Sequence, residues 1–164
     1  MTRPLLLAVL AALSCAPPAG ARQTALSPDE TASGERAIYM SAADAAEPWH
    51  EGWADARRSG DLVFVSGVIV APDPAHPLDL ERAFSRAFGR IEQTLLASGS
   101  SMAGIVDVTA YLTDVTTQTE ALNKARLGFM KPPFAASTVV QVARLIPAAA
   151  IGEIRVVARV GKGK

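Results

Sequence analysis

A chain of 164 residues, 49% hydrophobic and 20% charged, carries enough apolar material for one domain with a core and too little length for two. Its 16 basic and 16 acidic residues cancel to a formal net charge of zero, which excludes a dominant electrostatic attraction to nucleic acid. One cysteine, Cys15, excludes an intrachain disulfide framework.

The first residues read as a targeting segment. Arg3 supplies a positive start, Leu5 to Leu13 an apolar run, and Ala19-Gly20-Ala21 a small-x-small cleavage pattern. The run is too short to span a bilayer. Residues 1–21 are therefore expected to be a cleaved secretory signal, with the mature chain starting near Arg22 in the periplasm or outside the cell. The rival is lipid attachment at Cys15, but Leu13, two residues before it, fits the usual lipoprotein pattern poorly. Either cut leaves no thiol in the folded body.

Residues 22–36, broken by Pro28 and Gly34, form a polar lead-in. The domain is expected over 37–161, followed by a short basic tail, 162–164. Ala37 to Met40 suits a short first strand. Ala54 to Arg58 and Leu62 to Val70 read as strands of a hairpin turning at Ser59-Gly60-Asp61, and the prolines of Ala71 to Pro77 mark a loop. Leu80, Phe84, Ala87, Phe88, Ile91 and Leu95 recur at helical steps, with Asp79 placed to cap the start and Gly99 just past the end. Ile105 to Leu112 alternates as a strand, with Val106, Val108, Ala110 and Leu112 on one face. Thr116 to Phe129 gives a narrower helical stripe of Ala121, Leu122, Ala125 and Phe129, stopped at Lys131-Pro132-Pro133. Two further strands are expected at Ala136 to Leu145 and Ile151 to Val160. The order ββαβαββ predicts an α+β fold: one mixed sheet with both helices packed on the same face.

Four segments carry a resemblance. Asp61-Leu62-Val63-Phe64-Val65-Ser66-Gly67 is similar to the "GDLVFVSG" of the RidA (YjgF) family. Gly99-Ser100-Ser101 followed by Ile105 to Asp114 resembles its "AGSS…VVKTTVYLTD". Asn123 falls where the family has a helix asparagine. Val140 to Leu145 followed by Gly152-Glu153-Ile154 resembles "VQVARLP…VEIEAIA". The resemblance spans about Trp53 to Ala158. It implies a chorismate mutase-like fold, a homotrimer with small-molecule ligands in clefts between subunits, and hydrolysis of reactive imines and enamines to 2-keto acids and ammonia. It implies no cofactor or metal; the neutral charge argues against a nucleic-acid partner, and the short apolar run against a membrane span. Ribonuclease activity is ascribed to some relatives, and nothing in a neutral chain supports it here.

Carried over by position, Glu153 is the candidate catalytic carboxylate, able to activate water. Trp53, Ser66, Gly67 and Asn123 are candidate substrate contacts. Each has a plainer reading: Glu153 as a surface strand charge, Ser66 as a turn residue bonded to its own backbone, Trp53 as core, Asn123 as helix surface. His50 and His76 lack ligand-spaced partners, and Trp49, His50 and Trp53 read as a packed loop. The family's substrate-gripping arginine does not carry over. Its position falls on Ser137, or on Ala136 if one residue is absorbed in the strand.

The substrate is accordingly expected to diverge from the usual amino-acid-derived acids, because an unpaired buried carboxylate costs several kcal/mol. Arg155, or Arg57 or Arg58 of a neighbouring subunit, are the substitutes considered. Arg144 lies too far down the strand. The alternative is a non-catalytic trimer that binds a small metabolite in the periplasm.

Overall fold

The computed structural model describes residues 35–40 and 52–161. The signal segment, most of the lead-in, Trp49, His50 and the basic tail lie outside the described residues. Among the described residues eight strands and α-helices follow one another: β1 (Glu35–Ile38), β2 (Ala56–Ser59), β3 (Leu62–Val70), α1 (Leu80–Ala97), β4 (Ile105–Leu112), α2 (Val115–Phe129), β5 (Ala136–Gln141) and β6 (Gly152–Arg159).

Local chemistry sets the boundaries. Gly60, at φ 59°, turns β2 into β3 in the left-handed region that glycine enters without a Cβ penalty. Asp79 caps α1 by accepting a hydrogen bond from the Arg82 amide at 2.9 Å. The other end closes on Gly99, at φ 77°, and the Ser100 amide donates to the Leu95 carbonyl at 2.8 Å, which satisfies a terminal helix acceptor. Asp114 caps α2 by accepting from the Thr116 amide and from the hydroxyls of Thr116 and Thr117. These bonds to the charged form, the Thr116 hydroxyl foremost, hold the Asp114 carboxyl below the usual carboxylate range.

The strands form one six-stranded sheet in the order β1-β2-β3-β6-β4-β5. Every pair is antiparallel except β4 with β5, which runs parallel around the crossover helix α2. Helix α1 packs on β3 and β6, and α2 packs on α1. Phe84, Phe88, Ile91 and Leu95 of α1 are fully buried against Val63, Val65, Ile154, Val156 and Ala158 of the sheet. The α2 stripe buries Gln118, Leu122 and Ala125, while Phe129 stacks on Phe88 with ring centroids 5.8 Å apart. The expected mixed sheet with helices on one face is the observed fold.

Beyond shifts of one or two residues at strand ends such as β2 (Ala56–Ser59 against Ala54 to Arg58), three departures from expectation stand out. The first strand is Glu35–Ile38 rather than Ala37 to Met40. On β4 the register shifts between Ile105 and Asp107. This bulge turns Ile105 and Val108 inward and leaves Val106 39% exposed, where plain alternation put it in the core. Finally, β5 ends at Gln141 rather than Leu145. Its last partner is Leu112, the end of β4, and beyond it only the Val142 amide still reaches the Leu112 carbonyl. Among the described residues no helix is long and apolar enough to cross a membrane.

Candidate functional site

Two clusters of the expected site residues emerge. The first forms at a second bulge, where the pairing of β3 with β6 shifts between Val65 and Val68. The two residues inside the shift are Ser66 and Gly67. The Ser66 amide donates to the Asp55 carbonyl at 2.9 Å, and its hydroxyl donates to the Ala54 carbonyl at 2.7 Å. Ser66 thus pins the bulge to the segment before β2, and Gly67 is left exposed beside it. Glu153 fills the space a side chain on Gly67 would need: a Cβ there would stand 1.8 Å from Glu153 Oε1 and 2.5 Å from its Cδ. The missing side chain at Gly67 is therefore what seats the Glu153 carboxylate on the bulge.

The second cluster lies at the start of β5. Ser137 pairs with Val108, so it points toward the helices, and Ala136 beside it points to the other face. Arg126 of α2 donates from Nη1 to Ser137 Oγ at 3.0 Å. Asn123 is one turn earlier on the same side of the helix. Arg126 and Ser137 border a cavity of about 160 Å³ whose other walls are Val108, Leu127, Met130, Phe134 and Ala135. Residue 137 is indeed uncharged, but its surroundings are not.

Some of the described arginines are paired with carboxylates, and Arg126 is not among them. Arg57 pairs with Glu35 at 2.9 Å, Arg82 with Asp73 at 3.5 Å, and Arg159 with Asp61 at 3.0 Å. Arg126 has no carboxylate partner among the described residues. Sequence reading overlooked it because the search for a cation ran along strands. The available signal was its three-residue spacing from Asn123.

One chain does not bring the two clusters together. Glu153 sits opposite Tyr111, and Tyr111 opposite Val140. Ser137 is therefore three residues along and two strands across from Glu153, roughly 14 Å at ordinary sheet spacings, and on the opposite face. Trp53 is 55% exposed. Arg155 shares the open face with Glu153, yet no ion pair joins them. Arg57 is engaged by Glu35, and Arg58 donates to the Gly60 carbonyl at 3.1 Å. His76 stands 3.7 Å from Asp73, and no metal-holding group occurs among the described residues.

The model of the family described as Endoribonuclease L-PSP matches residues 41–160. The chain belongs to the RidA (YjgF) family. It is 36% identical over 110 residues to the RutC family protein YjgH of Escherichia coli K12, covering 66% of this chain and 82% of that one. The solved structure titled protein YJGH is 31% identical with a TM-score of 0.64, over 79% of this chain and 99% of that one. A RidA from an Antarctic Psychrobacter is 25% identical with a TM-score of 0.58, over 66% and 88%. A YjgF-family member from Mycobacterium tuberculosis, 23% identical with a TM-score of 0.66 over 77% and 99%, shares the fold.

Proposed function

We propose that the chain hydrolyses small reactive imines or enamines to the corresponding carbonyl compound and ammonia, at a cleft completed by a second copy of itself. The observation that carries this reading is the Glu153 carboxylate seated over Gly67, on an exposed bulge that Ser66 fixes in place. In the proposed step, Glu153 accepts a proton from water as the water oxygen bonds to the imine carbon. The C=N π pair moves to nitrogen, which takes that proton back from Glu153, giving a neutral carbinolamine. That intermediate collapses when its nitrogen takes up a proton and leaves as ammonia, while the carbinol oxygen loses its proton and becomes the carbonyl. An enamine first gains a proton at carbon to become the imine.

A cleft between copies suits the two-cluster geometry: one protomer would offer Ser66, Gly67 and Glu153, its neighbour Asn123, Arg126 and Ser137. The exposed strand β5 supports the homotrimer implied by family membership. The expectation of a substrate lacking a carboxylate rested on an uncharged start to β5, and Arg126 removes that ground. The N-terminal pattern supports export to the periplasm or beyond, which mass spectrometry of the mature N-terminus checks.

The decisive assay is ammonia release from 2-iminobutanoate generated in situ, with Glu153→Gln as the control. Turnover lost in that variant supports the reading. A wild-type rate no greater than the spontaneous one overturns it and leaves the metabolite-binding alternative. Sedimentation at roughly three times the protomer mass is the expected assembly.

A further inference from the structure

We propose that Arg126 is the anion anchor of this cleft, and that Ser137 positions it. The anchored group would be the carboxylate of a small organic acid, with the acid's apolar end resting on Phe134 and Met130.

The Arg126 guanidinium carries five N–H donors in a rigid fork, and the structure gives it one acceptor, Ser137 Oγ at 3.0 Å. Its other donors have no partner among the described residues. Arg126 is partly buried, and Val108, Leu127, Met130 and Phe134 wall the adjoining cavity. A cation partly desolvated against apolar walls favours an anionic partner, and a planar carboxylate matches the fork with two parallel bonds. The cavity of about 160 Å³ equals roughly five waters of liquid volume, enough for a short acid. Phe134 is 58% exposed and gives the hydrocarbon end something to cover.

Ser137 has a definite part in this. Its hydroxyl can accept from Arg126 without neutralising it, so the side chain is oriented while the charge stays available. A carboxylate at that position would have consumed the charge.

The assignment rests on the hydrolytic reading for where the reacting carbon lies, but anchoring is measured without turnover. Calorimetric titration of the full chain uses 2-oxobutanoate as the acid and butanone as its neutral counterpart. Arg126→Gln is expected to weaken 2-oxobutanoate binding at least tenfold, as befits a charge-assisted contact, and to leave butanone unchanged. Arg126→Lys, which keeps the charge and loses the fork, should fall between. Placing the cation one side chain away, in the double variant Arg126→Gln with Ser137→Arg, should restore most of the affinity. A merely structural bond between α2 and β5 would show no such rescue and would lower both affinities together with the melting temperature.

The proposal is overturned by unchanged 2-oxobutanoate affinity in Arg126→Gln, by a wild-type protein that does not prefer the acid to the ketone, or by transfer of the dependence to Arg155. Arg126-dependent binding with no ammonia release would sink the hydrolase and leave the anchor standing.

Discussion

Gly67→Ala probes the seating of Glu153 with one methyl group. The added Cβ would meet Oε1 at 1.8 Å, Cδ at 2.5 Å and Cγ at 2.8 Å. Ordinary contact begins near 3.4 Å, so the carboxylate has to retreat by about 1.6 Å or swing to another rotamer. Gly67 does not have a positive φ, so alanine adds no backbone penalty there. All three clashing atoms belong to the far part of a flexible side chain, and the strain of an off-rotamer Glu is about 0.5–1.5 kcal/mol. The variant should therefore fold, with a melting temperature slightly below that of the parent. Turnover should suffer far more, because a catalytic group misplaced by about 1 Å can cost on the order of a hundredfold. Ammonia release from 2-iminobutanoate measures this directly, with Glu153→Gln setting the floor. Gly67→Ala retaining activity within about threefold of wild type, while Glu153→Gln is inactive, would refute the claim that the bulge positions the carboxylate.

Three further outcomes test the frame around the site. Phe88→Ala removes a fully buried ring stacked on Phe129 and should cost about 3–5 kcal/mol in urea unfolding. Gly99→Ala forces a Cβ into a left-handed position at φ 77° and should cost about 1–2 kcal/mol, although the nearest atom, in Val160, is 3.9 Å away. Asp114 carries the pH dependence of the α2 cap. Its folded carboxyl sits below the ordinary range, chiefly through the Thr116 hydroxyl, so the unfolded chain binds more protons there. Its contribution is present above the unfolded pKa and is lost as pH falls through the folded one. Asp114→Asn should flatten the acid limb of a stability-against-pH curve taken between about pH 2 and 5.

Much of the fold was legible because periodicity and capping pointed the same way. On α1, the apolar stripe, the Asp79 cap and the Gly99 terminus agree, and the observed helix, Leu80–Ala97, starts and ends where they require. The misreadings share one cause, which is that pairing partners decide what a strand does. Val142 to Leu145 looks extended in sequence, but β4 has run out at Leu112, so the chain there has no ladder to continue. Val106 follows the alternation of its strand until a bulge, set by the register against β6, re-aims it. Neither the length of a neighbouring strand nor a register shift is written in the segment it alters.

The site was legible in a different proportion. Ser66, Gly67 and Glu153 were named as candidates by position, and the structure sets Glu153 over Gly67 because the bulge carries the glycine past Ile69, the residue that Glu153 pairs with. The cation was missed because position-by-position comparison asks which residue stands on the strand, whereas an anion responds only to where charge lies in space. A guanidinium reaches some 6 Å from its own backbone, so the same place can be served from β5 or from a helix packed over it. Here α2 offers Arg126 eleven residues before Ser137. A serine is the substitution that makes such a transfer workable: it is small enough to admit the incoming side chain, polar enough to hold it, and neutral enough to leave its charge for a ligand. Under the anchor proposal, the charge absent from the start of β5 is supplied from α2 through the Arg126–Ser137 bond, a transfer that no comparison of single positions along the strand would reveal.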